Sequence, residues 1–396
     1  MRAASFRGSG IQFALGARYP PLVDFGRQIL DFNGTRIEGA LPFAVCESFE
    51  ELRPMLRDGA RHFARGGAIG FWSYEAARAW EPRGWSRFPA EDDWESPPLR
   101  LVFFEELRRG VSPPPQLEAP ILREVPDEEM ARRFYTDGVV RIKELIGAGD
   151  IYQANLTHRF ELGTARLPWE VYERLRALGG APRGALLEWD DFAVVSNSPE
   201  TFLSLRDGVL ESMPIKGTIA RGNVPAEDEE LREQLRRSVK DRAENVMIVD
   251  LLRNDLGRVC EFGSVHVPAL CEVATFPTLH HLVSTVRGTL RRDLEPLDAF
   301  CAAFPCGSIT GAPKMRAMQI LSELEPVARG VSMGAVGYFG FDGTMEWSVA
   351  IRTATLRNGV ARFHAGGGIV ADSDPERELE EMRLKARALW SALLSP

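Results

Sequence analysis

A chain of 396 residues with 44% hydrophobic and 26% charged residues has the composition of a globular protein with a large core. Its net charge of −8 argues against a nucleic-acid or anionic-membrane surface, because both need a basic excess. No stretch approaches the roughly 20 apolar residues that span a bilayer. Five scattered cysteines without a CxxC pair favour a reduced, cytoplasmic protein without a zinc site.

The N-terminal third combines short apolar runs with turn residues. The Arg-rich start, residues 1–20, lacks a secretory apolar run; a plain bacterial start is favoured over an organelle transit peptide. GGAIGFWSYEAARAW (66–80) predicts a strand followed by a helical turn. Three consecutive prolines in VSPPPQLEAP (111–120) predict a linker, since they end both helices and central strands. Residues 127–150 are predicted to form a helix, because this segment has acids in its first turn and a glycine near its end.

The remainder of the chain alternates strand pairs with helices. Asp-containing turns predict two hairpins, over 184–197 and 201–215. One long helix is predicted over 225–257 and a closing helix over 372–394. Between them, residues 334–370 are predicted to form a meander with turns at Asp342–Gly343 and Asn358–Gly359. Hairpins separated by long helices are typical of an α+β fold with antiparallel sheets.

Glu244 is the acid with the most informative surroundings. On the predicted helix its neighbours three, four and seven residues on are Met247, Ile248 and Leu251. A carboxylate on an apolar face needs a counter-charge, a hydrogen bond or a metal. An ion pair with Lys240, four residues earlier, satisfies this as well as a metal does, so both interpretations stay open.

Three further acids admit two interpretations each. Glu378 and Glu381 share one helix face and suit a metal. They also suit a helix start, where Glu381 can pair with Lys385. Glu200 stands in the turn between the two hairpins, where it is either a general acid in a closed site or a solvated turn carboxylate.

Two cationic side chains and a histidine complete the candidates. Arg352 shares a predicted strand face with small residues, which favours either a bound carboxylate or a solvated face. One member of the pair His280–His281 is expected to face inward, as a core residue or a ligand contact. Lys216 is one of only five lysines among 48 basic residues, and unlike arginine it can lose its proton in a desolvated pocket.

The order of several motifs along the chain resembles a known family. They are GDIYQANLT (149–157), SNSPETFL (196–203), PIKGT (214–218), DRAENVMIVDLLRNDLGRV (241–259), FPCGSITGAPKMRAMQI (304–320), GAVGYFGFDG (334–343) with AIRTA (350–354), and HAGGGIVADSDPERELEEMRLKA (364–386). This series resembles the chorismate-utilising enzymes, which include anthranilate synthase component I, aminodeoxychorismate synthase component I, isochorismate synthase and salicylate synthase. The resemblance is dense over about residues 125–390 and looser before them.

The resemblance implies a fold and a set of site residues. It implies an α+β unit of two large antiparallel sheets packed together with helices outside. Residues 1–120 contribute strands to the sheets and 121–396 form the chorismate-binding catalytic region. Mg²⁺ is expected on Glu244 and Glu381, with Glu378 close by, and Glu200 is the expected general acid. The resemblance also implies substrate-binding residues, namely Arg352, the backbone N–H groups of Gly366 and Gly368, His281 and Thr310.

Two positions distinguish the reactions of this family. Isochorismate and salicylate synthases carry a lysine near the position of Gln153 to activate water, and glutamine cannot accept a proton in that role. Anthranilate synthases typically have alanine where this chain has Lys216, whereas aminodeoxychorismate synthases have the PIKGT form, which includes Gly217 and Thr218. The expectation is formation of 4-amino-4-deoxychorismate on the para-aminobenzoate and folate route. The alternatives are anthranilate synthase component I and a catalytically silent binding or regulatory homologue.

Two further features qualify the resemblance. The family usually has tyrosine in the segment RGVSMGAVGY, where this chain has Ser332, which leaves Arg352 less help in binding the enolpyruvyl carboxylate. The 396 residues contain no GxCxG glutaminase elbow. A separate glutamine amidotransferase subunit is therefore expected to supply ammonia to the chorismate site, and no nucleic-acid or membrane partner is expected.

Overall fold

The computed structural model describes residues 25–86, 90–222, 224–275 and 279–394. The Arg-rich start of the chain lies outside the described residues. None of the described helices combines the length and apolar character that crossing a bilayer requires. The predicted boundary near residue 120 stays a prediction.

Within these ranges the chain forms eight α-helices. Their bounds are α1 Phe49–His62, α2 Glu129–Gly147, α3 Pro168–Ala177, α4 Pro225–Arg237, α5 Val239–Gly257, α6 Pro296–Ala303, α7 Lys314–Leu324 and α8 Pro375–Leu393. The predicted helices over 127–150 and 372–394 are confirmed as α2 and α8.

Seventeen strands lie in the same ranges. Their bounds are β1 Phe25–Phe32, β2 Thr35–Cys46, β3 Gly67–Trp72, β4 Leu99–Val111, β5 Gln153–Gly163, β6 Arg183–Trp189, β7 Ala193–Ser198, β8 Thr201–Arg206, β9 Val209–Met213, β10 Ile215–Ala220, β11 His266–Thr275, β12 Leu279–Thr289, β13 Gly311–Ala312, β14 Ala335–Gly340, β15 Met345–Val349, β16 Thr353–Arg357 and β17 Val360–Ile369. The strand predicted within 66–80 is β3, and the two predicted hairpins are confirmed as β6–β7 and β8–β9.

The named strands pair antiparallel throughout. Neighbours follow the order β13, β5, β17, β16, β7, β6, β1, β2, β4, β3, β14, β15, β8 and β9. Strand β12 then pairs with β9 and β10 along one edge and with β11 along the other.

This ribbon of strands is folded into two layers. Side chains of β3 and β4, among them Phe71 and Val102, share a buried cluster with Leu187 of β6 and Val194 of β7. Helices cover the outer faces: Phe300 of α6 packs on Trp72 with ring centroids 4.8 Å apart, while α2 and α8 cover β5 and β17. The predicted α+β fold, with packed antiparallel layers and helices outside, is confirmed.

The prediction of one long helix over 225–257 is wrong. The chain breaks at Ser238, whose ψ of 110° is not helical, and α5 begins at Val239. The Ser238 hydroxyl oxygen accepts a hydrogen bond from the Asp241 N–H, 3.3 Å away, and so caps the second helix. Serine side chains often accept hydrogen bonds from backbone N–H groups at the start of a helix. Ser238 therefore indicated a helix start within 225–257, but the continuous apolar pattern favoured a single helix.

The predicted meander is two separate hairpins. Strands β14 and β15 pair with each other, as do β16 and β17, but β15 continues the sheet through β8 and β16 continues it through β7. The chain turns between the hairpins at Arg352, whose φ is +49°. Asn358 and Gly359, with φ of 51° and 75°, form the tight turn that the sequence predicted for the second hairpin.

Candidate active site

Lys216 lies on a bulge in strand β10. Ile215 pairs with Val283 of β12, whereas Thr218 pairs with His281, so β10 contains one residue more than its partner. Such a bulge breaks the regular alternation of side chains and redirects one of them. Gly217 supplies the backbone freedom that this requires, with φ at +82°.

There is also no space for a side chain at Gly217. A Cβ there would lie 2.9 Å from Asp241 and 3.0 Å from Leu235. Both neighbours sit beside the junction of α4 and α5. The helices therefore press directly on the backbone that carries Lys216, and a larger residue would displace it.

The glycine-rich end of β17 lies against polar side chains on both faces. A Cβ on Gly368 would lie 3.4 Å from Lys216 Nζ and would overlap the Gln153 side chain. A Cβ on Gly367 would lie 3.0 Å from Glu378 Oε2. The consecutive glycines thus let Lys216 approach one face of β17 and Glu378 the other.

Gln153 is a buried amide with unused hydrogen-bonding capacity. Its side chain is fully buried, and neither Oε1 nor Nε2 has a partner among the described residues. A buried amide without partners is costly, which indicates that a ligand satisfies it. Its position beside Gly368 and Lys216 makes this the centre of the candidate site.

Glu200 is buried in the turn between β7 and β8, not solvated. Burial raises the pKa of Glu200 to about 7, although the Ser308 hydroxyl, the Lys216 ammonium and the Ile215 N–H all act to lower it. Its Oε1 has no hydrogen-bond partner in the described part of the chain. A carboxyl that keeps its proton near neutral pH can serve as a general acid.

Glu244 on α5 is partly buried and makes no hydrogen bond or ion pair with any residue that the structure describes, which leaves the predicted pair with Lys240 unformed. Burial raises the pKa of Glu244; Lys216 and Lys240 oppose this, whereas Asp241 and Glu378 add to it. Because Glu244 lies near other carboxylates and has no partner of its own, it is suited to binding a cation.

The acids of α8 are already partnered. Lys385 Nζ lies 2.7 Å from Glu381 Oε1 and 3.0 Å from the Gly366 carbonyl oxygen. Burial acts to raise the pKa of Glu381, but Lys385, together with Lys240 and Lys216, holds it below its usual value. The alternative ion pair predicted for Glu381 is thus present. Glu378 accepts a hydrogen bond of 2.7 Å from Ser373 Oγ.

These carboxylates have the chemistry of a Mg²⁺ site. No group of three His, Cys, Asp or Glu side chains is arranged for metal binding within residues 25–86, 90–222, 224–275 and 279–394. Mg²⁺ typically takes only one or two carboxylates and completes its shell with water and substrate oxygens. The unpartnered Glu244 and the nearby Glu381 fit that requirement, and Mg²⁺ binding stays a prediction.

Arg352 reaches the site from a different position than expected. It follows the end of β15 in a bend, so the prediction that it lies on a strand face with Ser348 and Ala350 is wrong. Its guanidinium donates to no described residue, and burial lowers its pKa. A partly buried cation without a counter-ion is suited to a ligand carboxylate.

His281 is a neutral imidazole beside this cation. Its Nδ1 lies 2.8 Å from Thr218 Oγ1, which ties β12 to the strand that carries Lys216. Burial, followed by the charge of Arg352, lowers the pKa of His281 to about 4. His280 is buried as well, and its Nε2 lies 2.9 Å from Asp228 Oδ1 of α4, so both members of the pair are buried and not one alone.

The remaining predicted residues border this centre. The buried Thr310 donates to the carbonyls of Cys306 and Gly307, at 3.1 and 3.2 Å. Ser332 is buried and its Oγ accepts a 3.0 Å hydrogen bond from the His364 N–H. The sequence analysis missed Ser308, whose buried hydroxyl acts to lower the pKa of Glu200; its place two residues before Thr310 in the same motif was the available signal.

Comparison with known proteins identifies the family. The family model for chorismate binding enzymes matches residues 111–391. The chain belongs to this family. The match includes every predicted site residue, so the lysine on the bulge, the buried Glu200 and the α8 acids all lie in the part of the chain that the family defines.

Two curated relatives carry different names. The chain is 44% identical over 290 residues to anthranilate synthase component 1 of Geobacillus stearothermophilus, covering 70% of this chain and 57% of that protein. It is 47% identical over 252 residues to aminodeoxychorismate synthase component 1 of Salmonella typhimurium, covering 64% of this chain and 56% of that protein. The chain therefore spans little more than half the length of these relatives.

A solved structure supports the fold over nearly the whole chain. Anthranilate synthase component I from Streptococcus pneumoniae superposes with a TM-score of 0.76 at 29% identity, covering 92% of this chain and 90% of that one. The predicted chorismate-utilising family and its fold are confirmed, while the choice between the two reactions needs a separate argument.

Proposed function

We propose that this chain is aminodeoxychorismate synthase component I and converts chorismate and ammonia to 4-amino-4-deoxychorismate. The observation that carries the proposal is Lys216, which the β10 bulge directs toward Gly368 and the unpartnered Gln153. A primary amine at this place supplies a nucleophile that a guanidinium does not.

In the first step the Lys216 amine forms a bond to ring C2. The ring double bonds shift, the C4–O bond breaks, and the departing hydroxyl takes the Glu200 proton and leaves as water. The burial that raises the pKa of Glu200 to about 7 keeps that proton available near neutral pH.

In the second step ammonia forms a bond to C4. The double bonds shift back, and the bond between C2 and the Lys216 nitrogen breaks with the electron pair returning to the lysine. The new C4 ammonium passes its extra proton to the Glu200 carboxylate. Both protein groups are then in their starting states, and the net change is chorismate plus ammonia to aminodeoxychorismate plus water.

The remaining groups hold the substrate. Arg352, with no counter-ion in the described chain, binds the enolpyruvyl carboxylate together with the backbone N–H groups of Gly366 and Gly368. The neutral His281 and Thr310 line the ring. Mg²⁺ on Glu244 and Glu381, with Glu378 beside them, supplies positive charge for the ring carboxylate when bound.

Anthranilate synthase component I is the second candidate, since relatives with that name reach 44% identity. It aminates C2 instead of C4. A lysine that occupies C2 covalently blocks that position for ammonia, so Lys216 favours amination at C4. A catalytically silent homologue would have no need for an uncompensated Arg352 and Glu244 in one cleft.

Ammonia is proposed to come from a separate glutamine amidotransferase subunit. The sequence contains no GxCxG elbow, which the proposed glutaminase chemistry requires. The 396-residue chain should make product with ammonium salts and none with glutamine alone. Glutamine-dependent product from rigorously pure chain would remove the need for a partner.

The test combines chorismate, ammonium and Mg²⁺ with wild type, Lys216→Ala and Lys216→Arg, and identifies the product by mass and chromatography. Wild type should form the C4-aminated product, and both variants should lose most of it, because alanine lacks the amine and arginine keeps only the charge. A Lys216–substrate adduct should appear in quenched wild type.

Lys143→Ala is the matched control, because this lysine of α2 donates to the Ser373 carbonyl and lies outside the proposed chemistry. It should retain turnover. Near-wild-type C4 amination by Lys216→Ala would eliminate the nucleophile, and C2-aminated product from wild type would establish the anthranilate alternative.

A further inference from the structure

Arg329 is a buried arginine that bridges two backbone segments beside the candidate site. It is only 3% exposed. Its Nη1 donates to the Ile309 carbonyl oxygen and its Nη2 donates to the Asn155 carbonyl oxygen, each at 2.7 Å. Ile309 ends the short turn before β13, and Asn155 lies on β5. Because both carbonyl oxygens are acceptors only, a donor between them is needed to hold them together.

The two bridged segments carry residues of the candidate site. Thr310 follows Ile309 directly, and Gln153 lies two residues before Asn155, on the same face of β5. The two-residue strand β13 pairs with β5, and the Asn155 N–H donates to the Thr310 carbonyl oxygen at 2.8 Å. Arg329 adds a further link to this short pairing, so it helps to fix Thr310 relative to the strand that carries Gln153.

The charge of Arg329 is compensated by Glu325, four residues earlier. Arg329 Nε lies 2.7 Å from Glu325 Oε2, and Nη2 lies 2.7 Å from Oε1. Glu325 Oε1 also accepts hydrogen bonds from the Thr157 N–H at 2.9 Å and the Thr157 hydroxyl at 2.8 Å. A buried ion pair needs good geometry and further hydrogen bonds to offset its desolvation, and this one has both. The pair therefore holds the guanidinium in one orientation.

A separate set of contacts holds the backbone and the outer face of Arg329. The N–H groups of Arg329 and Gly330 donate to the two carboxylate oxygens of Glu75, at 2.9 and 3.0 Å. Arg329 Cζ lies over the ring of Tyr74, 4.5 Å from its centroid, which is a cation–π contact. The guanidinium thus reaches the two carbonyl oxygens from a fixed position, as precise support of a binding site requires.

We propose that Arg329 is a positioning residue for the substrate site. By holding the carbonyls of the turn and of β5 on one guanidinium, it keeps Thr310 and Gln153 at the separation at which both contact the substrate. The inference rests on the proposed function, in which Thr310 lines the ring of chorismate. Lysine in place of Arg329 can keep an ion pair with Glu325, but its ammonium lacks the planar fork that reaches all four oxygens.

The first experiment measures chorismate affinity, which does not depend on the product that the enzyme makes. Arg329→Lys should raise the Kd for chorismate, measured by calorimetry, at least about tenfold and lower kcat/KM about 10- to 100-fold, because small displacements of site groups have effects of this size. Hydrogen exchange followed by mass spectrometry should increase over 153–157 and 306–312 and not elsewhere. A general loss of stability would instead raise exchange throughout the chain and would contradict a positioning role.

Arg176→Lys is the matched control. The Arg176 side chain on α3 is 11% exposed, its Nη1 lies 2.7 Å from Glu173 Oε1, and its Nη2 donates to the Pro113 carbonyl oxygen. Neither partner is a proposed site residue, so this variant should keep the wild-type affinity and the wild-type exchange over 153–157 and 306–312. Wild-type affinity in folded Arg329→Lys would overturn the proposal, as would an equal loss of affinity in Arg176→Lys.

Arg329→Ala provides a rescue experiment. Free guanidinium, far below the concentrations that unfold proteins, should occupy the space of the missing side chain and restore part of the chorismate affinity. Methylammonium, which has the charge without the fork, should not, and equal restoration by both ions would overturn the proposal. If Arg329→Ala does not fold, the lysine variant decides. Wild type that binds chorismate but forms no C4-aminated product would contradict the proposed function alone.

Discussion

Lys385 and Glu381 lie one turn apart on α8 with Nζ and Oε1 separated by 2.7 Å, and the same ammonium also holds the Gly366 carbonyl. One lysine therefore joins the helix that carries a proposed metal ligand to the strand that lines the substrate cleft. Glu244, on α5, has no such counter-ion among the described residues. The two acids differ in how readily they accept a divalent cation.

Replacing either acid should weaken Mg²⁺ binding. Glu244→Gln and Glu381→Gln each remove a charged oxygen ligand, so the Mg²⁺ dissociation constant from calorimetry should rise at least tenfold and turnover should nearly vanish. Glu380→Gln, the exposed neighbour on α8, is the control and should behave as wild type. Full activity of Glu244→Gln in the presence of a chelator would refute the metal assignment.

The pKa of Glu200 predicts how activity depends on pH. Because burial raises that pKa to about 7, the protonated general acid is present below this pH and lost above it. The rate of C4 amination should fall as pH rises through about 7. Glu200→Gln, which cannot transfer a proton, should lose at least about 100-fold in kcat. An unchanged rate from pH 6 to 9 would exclude Glu200 as the acid.

The buried carboxyl of Glu200 should also make the stability of the protein depend on pH. Its contribution should fall as pH rises, whereas that of a salt-bridged carboxylate rises. The folded chain keeps the Glu200 proton up to about pH 7, whereas the unfolded chain loses it near 4.5. The folded state therefore binds more protons in this window, and the free energy of unfolding falls as pH rises through it. The free energy of unfolding of Glu200→Gln, measured relative to wild type by urea denaturation, should therefore increase by about 3 kcal/mol between pH 4 and pH 8.

Gly217→Ala tests the bulge under Lys216. Its φ of +82° strains any Cβ, and the new methyl would meet Asp241 at 2.9 Å. Gly208 is a close control, because its φ is +76° but nothing lies within 4 Å of a Cβ there. Both alanine variants should lose about 1–2 kcal/mol from strain, but only Gly217→Ala should also lose turnover. Equal turnover in the two variants would contradict the role of the bulge.

Ser238→Ala tests the break between α4 and α5. Losing the hydroxyl that caps the Asp241 N–H should cost about 1 kcal/mol of unfolding free energy, measured by urea denaturation. Glu128→Ala at the start of α2 is the control, because the Glu128 side chain makes no capping hydrogen bond. Its effect should be small, and a comparable loss at both positions would show that capping is not the cause.

Much of the local structure was predictable because it depends on neighbouring residues. The end signals of α2 and α8, the two Asp-turn hairpins and the Asn358–Gly359 turn all follow from backbone preferences within a few positions. The motif order also indicated the family, which the match over residues 111–391 confirms. Each family motif is a short run of consecutive residues, so it can be recognised without knowledge of the fold.

The alternatives that the sequence left open depended on contacts between distant segments. Glu200 is a buried acid and not a solvated turn residue, and among the groups that act on its pKa is Ser308, about a hundred residues away in the chain. Glu244 lacks the Lys240 partner and Glu381 has Lys385, although both pairs have the same four-residue spacing. Side-chain spacing permits an ion pair, but the surrounding charges and burial decide whether it forms.

The sequence alone determined which residue types the site contains, and the fold decided how they meet. PIKGT shows a lysine before a glycine, but only pairing with β12 creates the extra residue that redirects Lys216. Alternating strand positions put Arg352 on a strand face, whereas the switch of β15 and β16 to different neighbours leaves it in a bend. Register and strand order arise from packing of the whole chain, so no local pattern of residues contains them.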